Sequence, residues 1–272
     1  MRWYPAPGKL NLFLHVLGRR ADGYHQLQTV FRLVGRADRV GIAVREDGEI
    51  RFAGVYGEEN LCVRAARLLK QASGTSLGAD LELEKILPVG GGLGGGSSDA
   101  ATVLRVLNRL WSLRLPLRQL VSIAVKLGAD VPVFIEGRNA LGEGIGERLT
   151  PLDLPAAWYL VLTPQVSVST KEIFGSALTG RSKELKIPPF FPGQGRNDLE
   201  AAVVARYPEV AAHLEWLRLR CPQARMTGSG ACVFSEFESE AEARALHRQL
   251  PGDMSGFVAR GLDRHPLLDW ED

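Results

Sequence analysis

The chain has little to hold it together by covalent means. Its three cysteines, Cys62, Cys221 and Cys232, are far apart, odd in number and form no CxxC pair. That pattern argues against a disulfide framework or a zinc site and for a reducing compartment. Long hydrophobic runs are missing as well. The longest, Ala156 to Leu162, is far short of a bilayer span, and the opening residues Met1-Arg2-Trp3-Tyr4-Pro5-Ala6-Pro7 lack the apolar centre of a secretion signal. Nor does one sign of charge prevail. With 33 Lys and Arg against 31 Asp and Glu, the formal charge of +2 gives no reason to expect a nucleic-acid or membrane partner. Internal repeats and low-complexity tracts are absent. These absences leave a soluble cytoplasmic protein whose 272 residues suffice for two cores.

Glycine is the residue present in excess, and it is concentrated. Between Gly90 and Gly96 only Leu93 is not glycine, within the stretch Pro88-Val89-Gly90-Gly91-Gly92-Leu93-Gly94-Gly95-Gly96-Ser97-Ser98. Glycine loses the most conformational freedom on folding, so such a run belongs where backbone must approach something closely or take unusual φ angles. A flexible linker is the competing reading. Here, however, a strand-like segment, Leu81 to Leu87, precedes the run, and a helical pattern over Ala100–Leu113 follows it. Strand, glycine loop and helix N-terminus together make a phosphate cradle of unpaired N–H groups.

The cradle lacks the marks of the two commonest types. A P-loop needs Gly-Lys-Ser/Thr, but Gly96 is followed by Ser97 and Ser98. A dinucleotide fold needs an acid about 20 residues on, and the segment there is Leu-Arg-Leu-Pro-Leu. A loop with donors and hydroxyls but no cation requires positive charge from elsewhere. Lys9, Lys85 and Mg²⁺ are the candidate sources, and an acid such as Asp130 would complete a phosphoryl-transfer site.

The chain in order reads as α+β. Residues 9–16 alternate as a strand, which puts Lys9 and Asn11 on one side, about 7 Å apart. Asp22-Gly23 is a turn, and strands are expected over Tyr24–Leu33, Val40–Val44 and Glu49–Phe52. Asn60 caps a helix carrying Leu61, Ala65, Leu68, Leu69 and Ala72. Pro116 opens a further helix that Gly128 ends. Asp130 then enters the apolar Val-Pro-Val-Phe, where a carboxylate gains nothing from the preceding helix dipole and needs a cation or a donor. A composition shift at 150–155 divides the chain into domains 1–154 and 155–272. The second half reads as a strand over Trp158–Leu162, helices over Lys171–Leu178, Asp198–Ala205 and Pro208–Leu219, a second glycine turn at Gly228-Ser229-Gly230, a helix over Glu240–Leu250 and a strand over Phe257–Arg260. A mobile loop is expected over 179–194.

These segments resemble the GHMP small-molecule kinases. Pro-Gly-Lys-Leu-Asn-Leu-Phe-Leu is similar to their first motif, Pro88 to Ala101 to their central motif, and Thr-Gly-Ser-Gly-Ala-Cys-Val-Phe to their third. Ala21-Asp22-Gly23-Tyr24-His25, Glu59-Asn60-Leu61 and Leu127 to Phe134 narrow the likeness to the branch whose acceptor is a cytidine-diphosphate-linked methylerythritol. The resemblance runs from Pro5 to about Gly261. It implies an N-domain of the ribosomal-S5-like class against a ferredoxin-like C-domain, with the active site between them.

It also implies roles. Asp130 would take the proton of the acceptor hydroxyl, with Lys9 as its charged partner. Pro88, Val89, Gly90, Gly91, Gly92, Leu93, Gly94, Gly95, Gly96, Ser97 and Ser98 would bind ATP, with Asn60 and Lys85 near the nucleotide. Asn11, Tyr24, His25 and Phe174 would line the cytidine pocket. Mg²⁺ is expected to arrive with ATP, since no metal ligand stands out, and the expected assembly is a monomer or weak homodimer. Gly8 and Ser169 depart from the family's usual alanine and proline. Other readings stay open for single residues: a packing pair for Tyr24 and His25, core for Phe174, an N-cap or structural ion pair for Asp130. For the whole chain, the alternatives are a GHMP kinase acting on homoserine, mevalonate or a sugar, or a GHMP-fold binding protein without catalysis.

Overall fold

A computed structural model describes residues 1–54, 57, 59–175, 190 and 193–270. Its spine is a pair of long antiparallel strands, β1 (Arg2–Arg19) and β2 (His25–Arg45), joined through the expected turn, where Gly23 has φ +88°. Their register steps between Pro7 and Lys9, Asn11 and Leu14, and Val16 and Gly18. Such bulges re-aim side chains. Lys9 and Asn11 keep the common face expected of them, opposite Leu33 and Phe31, but strict alternation stops at the second bulge. Residues 6–16 are buried throughout because both faces of β1 are covered. β2 runs unbroken through what reads as two strands, since backbone pairing to β1 continues through Ala37, Asp38 and Arg39, and on its other edge β10 pairs at Leu33 and Val34 and β4 from Arg39 onward.

The remaining elements of the first half are β3 (Ile50–Ala53), α1 (Leu61–Ser73), β4 (Gly78–Glu84), α2 (Gly95–Leu110), α3 (Leu117–Val125), α4 (Val131–Glu136), β5 (Ala140–Gly144) and β6 (Arg148–Pro151). The second half adds β7 (Trp158–Leu162), α5 (Thr170–Gly175), α6 (Glu200–Arg206), α7 (Pro208–Arg218), β8 (Arg225–Met226), β9 (Val233–Phe237), α8 (Glu240–His247) and β10 (Gly256–Leu262). The expected loop over 179–194 lies outside the described residues except at 190, 193 and 194, as do positions 176–178 of the helix before it.

Three differences from the sequence reading bear on the site. First, α2 begins at Gly95, inside the glycine run and five residues before the expected start, so the run itself supplies the helix N-terminus. Second, the apolar stretch after Asp130 is the helix α4, so Asp130 occupies an N-cap position as well as following α3. Its carboxylate therefore sits at the positive end of a helix, the N-cap position that the sequence left open, although the preceding helix offers it nothing. Third, β4 stops at Glu84, and Lys85 to Leu87 leave the sheet toward the loop.

Strand order β3-β4-β2-β10-β7-β9-β8 makes one continuous sheet across both halves, with β1 and β5 also paired to β2. Helices α1 to α4 bury Leu69, Leu104, Leu107, Ile123 and Phe134 in a first core. A second core gathers Leu160, Ile173, Leu199, Val203, Leu214 and Leu217. Between them, Leu10, Phe13, Val34, Tyr159 and Phe234 join the halves. The chain then returns after β10: Leu267 lies in the first core, and the Trp270 ring meets Tyr4 edge-on at 5.0 Å.

Buried Asn139, just after α4, fastens this return. Its Oδ1 accepts from Leu33 N–H at 2.9 Å and its Nδ2 donates to Leu262 O at 2.9 Å. Asn139→Ala orphans one buried donor and one acceptor, so unfolding in denaturant should show a loss of about 2–4 kcal/mol. A loss below about 0.5 kcal/mol would mean that water replaces both bonds.

Candidate active site

The glycine loop and the mouth of β1 open into a cleft of about 570 Å³ between the halves. Gly90, Gly92 and Gly94 have φ of +71°, +76° and +69°, a left-handed conformation that side chains resist. At Gly94 a Cβ would lie 3.0 Å from the Phe134 ring and 3.1 Å from Lys9 Cε, and at Gly92 it would strike the Thr227 carbonyl. The loop carbonyls are turned away from the cleft and used: Gly90 O accepts from Ala231 N–H, Gly91 O from Cys232 N–H, and Leu93 O from Lys9 N–H. The first turn of α2 has no side-chain cap. Its free N–H groups and the loop line the cleft, which suits a polyphosphate.

At the loop's inner edge the ammonium of Lys9 is buried and saturated. Nζ donates to Asn11 Oδ1 at 2.5 Å and Gly92 O at 3.0 Å, and pairs with Asp130 Oδ2 at 3.1 Å. Three donors thus meet three acceptors. Asn11 is equally committed, its Nδ2 donating to Thr29 Oγ1 at 2.9 Å and its N–H to Thr227 Oγ1 at 2.9 Å. Lys9 is 3% exposed while Asp130 keeps 35% of its side chain open, so the carboxylate is the member of the pair that faces the cleft.

Lys85 is not a free cation. Its ammonium bonds Asp38 Oδ2 and lies 2.9 Å from Asp99 Oδ2. Asp38 is fully buried, and its other oxygen accepts from Ile86 N–H at 2.5 Å and Leu87 N–H at 2.7 Å, which explains why the chain leaves β4 at this point. Burial pushes the Asp99 carboxyl up to about 7, against the pull of Lys85, and the charge on Asp38 adds to the rise. Burial opposes the Lys85 ammonium, but the two carboxylates outweigh it and hold its pKa above the usual value.

At the other end of the cleft stands Phe174; the His25 ring packs 5.3 Å from it at 34° but does not itself line the cleft. Phe174 lines the cleft, whereas Tyr24 is 61% exposed and outside it. Burial and then nearby Arg19 lower the His25 pKa. Thr170 Oγ1 and Ser229 Oγ are 2.7 Å apart on the cleft wall.

Of the residues singled out in the sequence, Lys9, Asn11, Asn60, Lys85, Phe174, Asp130 and positions 88–97 share this cleft. Ser98 does not line it; it is buried in the first turn of α2, and its hydroxyl has no partner among the described residues. Asn60 Oδ1 accepts from Cys62 N–H at 2.8 Å, so it caps α1 and also borders the cleft. Asp38 and Asp99 were missed as partners of Lys85. Asp99 stands directly after the serine pair, beside the cradle, which was a usable signal; Asp38 carried none. Among the described residues, no group of three or more His, Cys, Asp or Glu side chains is placed to hold a metal ion. No helix there is long and apolar enough to cross a membrane.

Comparison with known proteins agrees with this geometry. The family model for the GHMP kinases N terminal domain matches residues 60–138, and that for the GHMP kinases C terminal matches residues 191–255. Fold and cradle are those of GHMP kinases. The 4-diphosphocytidyl-2-C-methyl-D-erythritol kinase of Nitrosospira multiformis is 59% identical over 98% of this chain and 94% of its own length. That of Thiobacillus denitrificans is 57% identical over 98% of both. A crystal structure of 4-(cytidine 5'-diphospho)-2C-methyl-D-erythritol kinase superposes with a TM-score of 0.86 at 35% identity, over 96% of this chain and 99% of that one. A homoserine kinase from Cytophaga hutchinsonii, at 14% identity and TM-score 0.72, shares the fold. The chain belongs to the GHMP kinase family and, within it, to the 4-diphosphocytidyl-2-C-methyl-D-erythritol kinases.

Gly92→Ala combines a forbidden φ with a backbone collision. It should weaken nucleotide binding at least about tenfold, equivalent to about 1.4 kcal/mol, when followed by equilibrium titration. Unchanged binding would show that the contact between loop and third motif is dispensable for the cradle.

Proposed function

We propose that this kinase transfers the terminal phosphoryl group of ATP to the 2-hydroxyl of 4-diphosphocytidyl-2-C-methyl-D-erythritol, with Asp130 as the base. The observation that carries this reading is the Lys9–Asp130 pair at 3.1 Å, its carboxylate facing the cleft beside the loop. Near-full-length relatives named for that activity support the choice of acceptor.

The residues divide the work by position. The glycine loop and the start of α2 offer N–H groups to the phosphates, and their fixed orientation costs no reorganisation during transfer. ATP supplies the phosphoryl group, and Mg²⁺ is taken to enter on its phosphates. Lys9 pairs with Asp130 and points it at the acceptor while its bond to Gly92 O ties the base to the cradle. Asp130 accepts the acceptor's hydroxyl proton as the new O–P bond forms. Phe174 and His25, with Tyr24 exposed nearby, give the aromatic end that a cytosine ring would stack on. Free buried thiols at Cys62 and Cys232 and a dependence on ATP fit a cytoplasmic enzyme.

Asp130→Asn should lower turnover by about 10²–10⁴-fold with nucleotide affinity retained, measured by steady-state rates beside a binding titration. Near-normal turnover would remove Asp130 from the base role. Lys9→Ala should cut the rate far more than it lowers the melting temperature. A panel of acceptors with labelled ATP tests the substrate: phosphate should move to the cytidine compound and not to mevalonate, homoserine or galactose, and the reverse pattern overturns the assignment.

A further inference from the structure

The charges along the nucleotide side of the cleft do not balance in the way a polyphosphate requires. Lys9 is matched by Asp130, and Lys85 is faced by two carboxylates, Asp38 and Asp99. With every group ionised, two lysines stand against three acids, so the site carries an excess of negative charge before any phosphate enters. The surplus is located. Asp38 has both oxygens occupied, by Lys85 and by the Ile86 and Leu87 N–H groups. Asp99 is 2% exposed and has one oxygen on Lys85, while its Oδ1 is buried with no partner among the described residues. It lies in the first turns of α2, four residues beyond Gly95. The cluster is also tight against the cradle: a Cβ on Gly95 would come within 3.0 Å of Lys85 Nζ and 3.1 Å of Asp38 Oδ2.

Resting on the reading of the loop as the ATP site, we propose that Asp99 is a positioning residue that, through Lys85, sets the charge of the nucleotide cradle and takes up a proton when polyphosphate binds. A neutral Asp99 leaves Lys85 and Asp38 as a one-to-one pair and lets its hydroxyl donate where the carboxylate could only accept. The incoming phosphates favour that state because they add negative charge beside a carboxylate already short of water. The groups acting on Asp99 are Lys85, from the segment after β4, and Asp38 on β2. Cys62, at the start of α1, faces the same cluster, and burial holds its thiol far above its usual pKa, so it stays neutral. Burial brings the Asp99 pKa up to about 7, within reach of neutral pH. Since the bound state holds the extra proton, affinity falls as pH rises above that value.

The test is calorimetry with the β,γ-imido analogue of ATP and Mg²⁺ at about pH 8, in HEPES and in Tris, whose ionisation enthalpies differ. Binding to the unaltered enzyme should show a buffer-dependent enthalpy equivalent to about half a proton or more taken up per site, and affinity should fall about fivefold between about pH 7 and about pH 8.5. In Asp99→Asn the buffer dependence should disappear and affinity at the higher pH should exceed that of the unaltered enzyme. Asp38→Asn, which leaves Lys85 with a single carboxylate, should also suppress the uptake and serves if the first variant does not fold. Titration of the nucleotide itself is common to all three proteins and cancels. Binding without buffer dependence in the unaltered enzyme, or the same dependence in both variants, overturns the inference and leaves the kinase assignment intact. No binding of the analogue in any buffer overturns both.

Discussion

One ammonium group holds the catalytic half of this molecule in register. Lys9 Nζ reaches acceptors from three separate stretches, Asn11 on β1, Gly92 in the loop and Asp130 before α4. Only Asn11 is near Lys9 in the chain; Gly92 and Asp130 are distant from it and from each other. A buried lysine is costly unless each donor is met, so the fold must bring the loop and the α4 turn to the same point or leave the charge stranded. The bulge after Pro7 and the left-handed glycines are the local distortions that allow the approach.

The same economy of contacts explains the glycine content. The loop uses its carbonyls to bind the second half and β1, which leaves its N–H groups for the cleft. A side chain at Gly92 would meet the Thr227 carbonyl, and one at Gly94 would meet Lys9 and Phe134. The glycines are therefore needed where the loop packs against the rest of the protein.

Much of this was legible in the residues. The cradle between a strand and a helix, the shared side of Lys9 and Asn11, and the Asn60 cap follow from local periodicity and capping chemistry, which a single sequence displays. The start of α2 inside the glycines was not legible, because glycine disfavours helices and only the packing of residues 98–107 draws the first turn in. The helix after Asp130 was hidden for a related reason: Val-Pro-Val-Phe has no helical preference, but proline suits a first turn and the segment is entirely buried. The pairing of Lys85 with Asp38 joins residues 47 positions apart and left no trace in either neighbourhood.

The return of the chain after β10 bears on how such an enzyme can change over time. Asn139 ties Leu33 to Leu262, Leu267 enters the first core, and the third motif props the loop. A half taken from one relative would arrive without the residues that complete the other's core and cradle. Exchange of halves between family members is thus penalised at several points at once. Substitution costs least at exposed positions such as Tyr24, which lies outside the cleft.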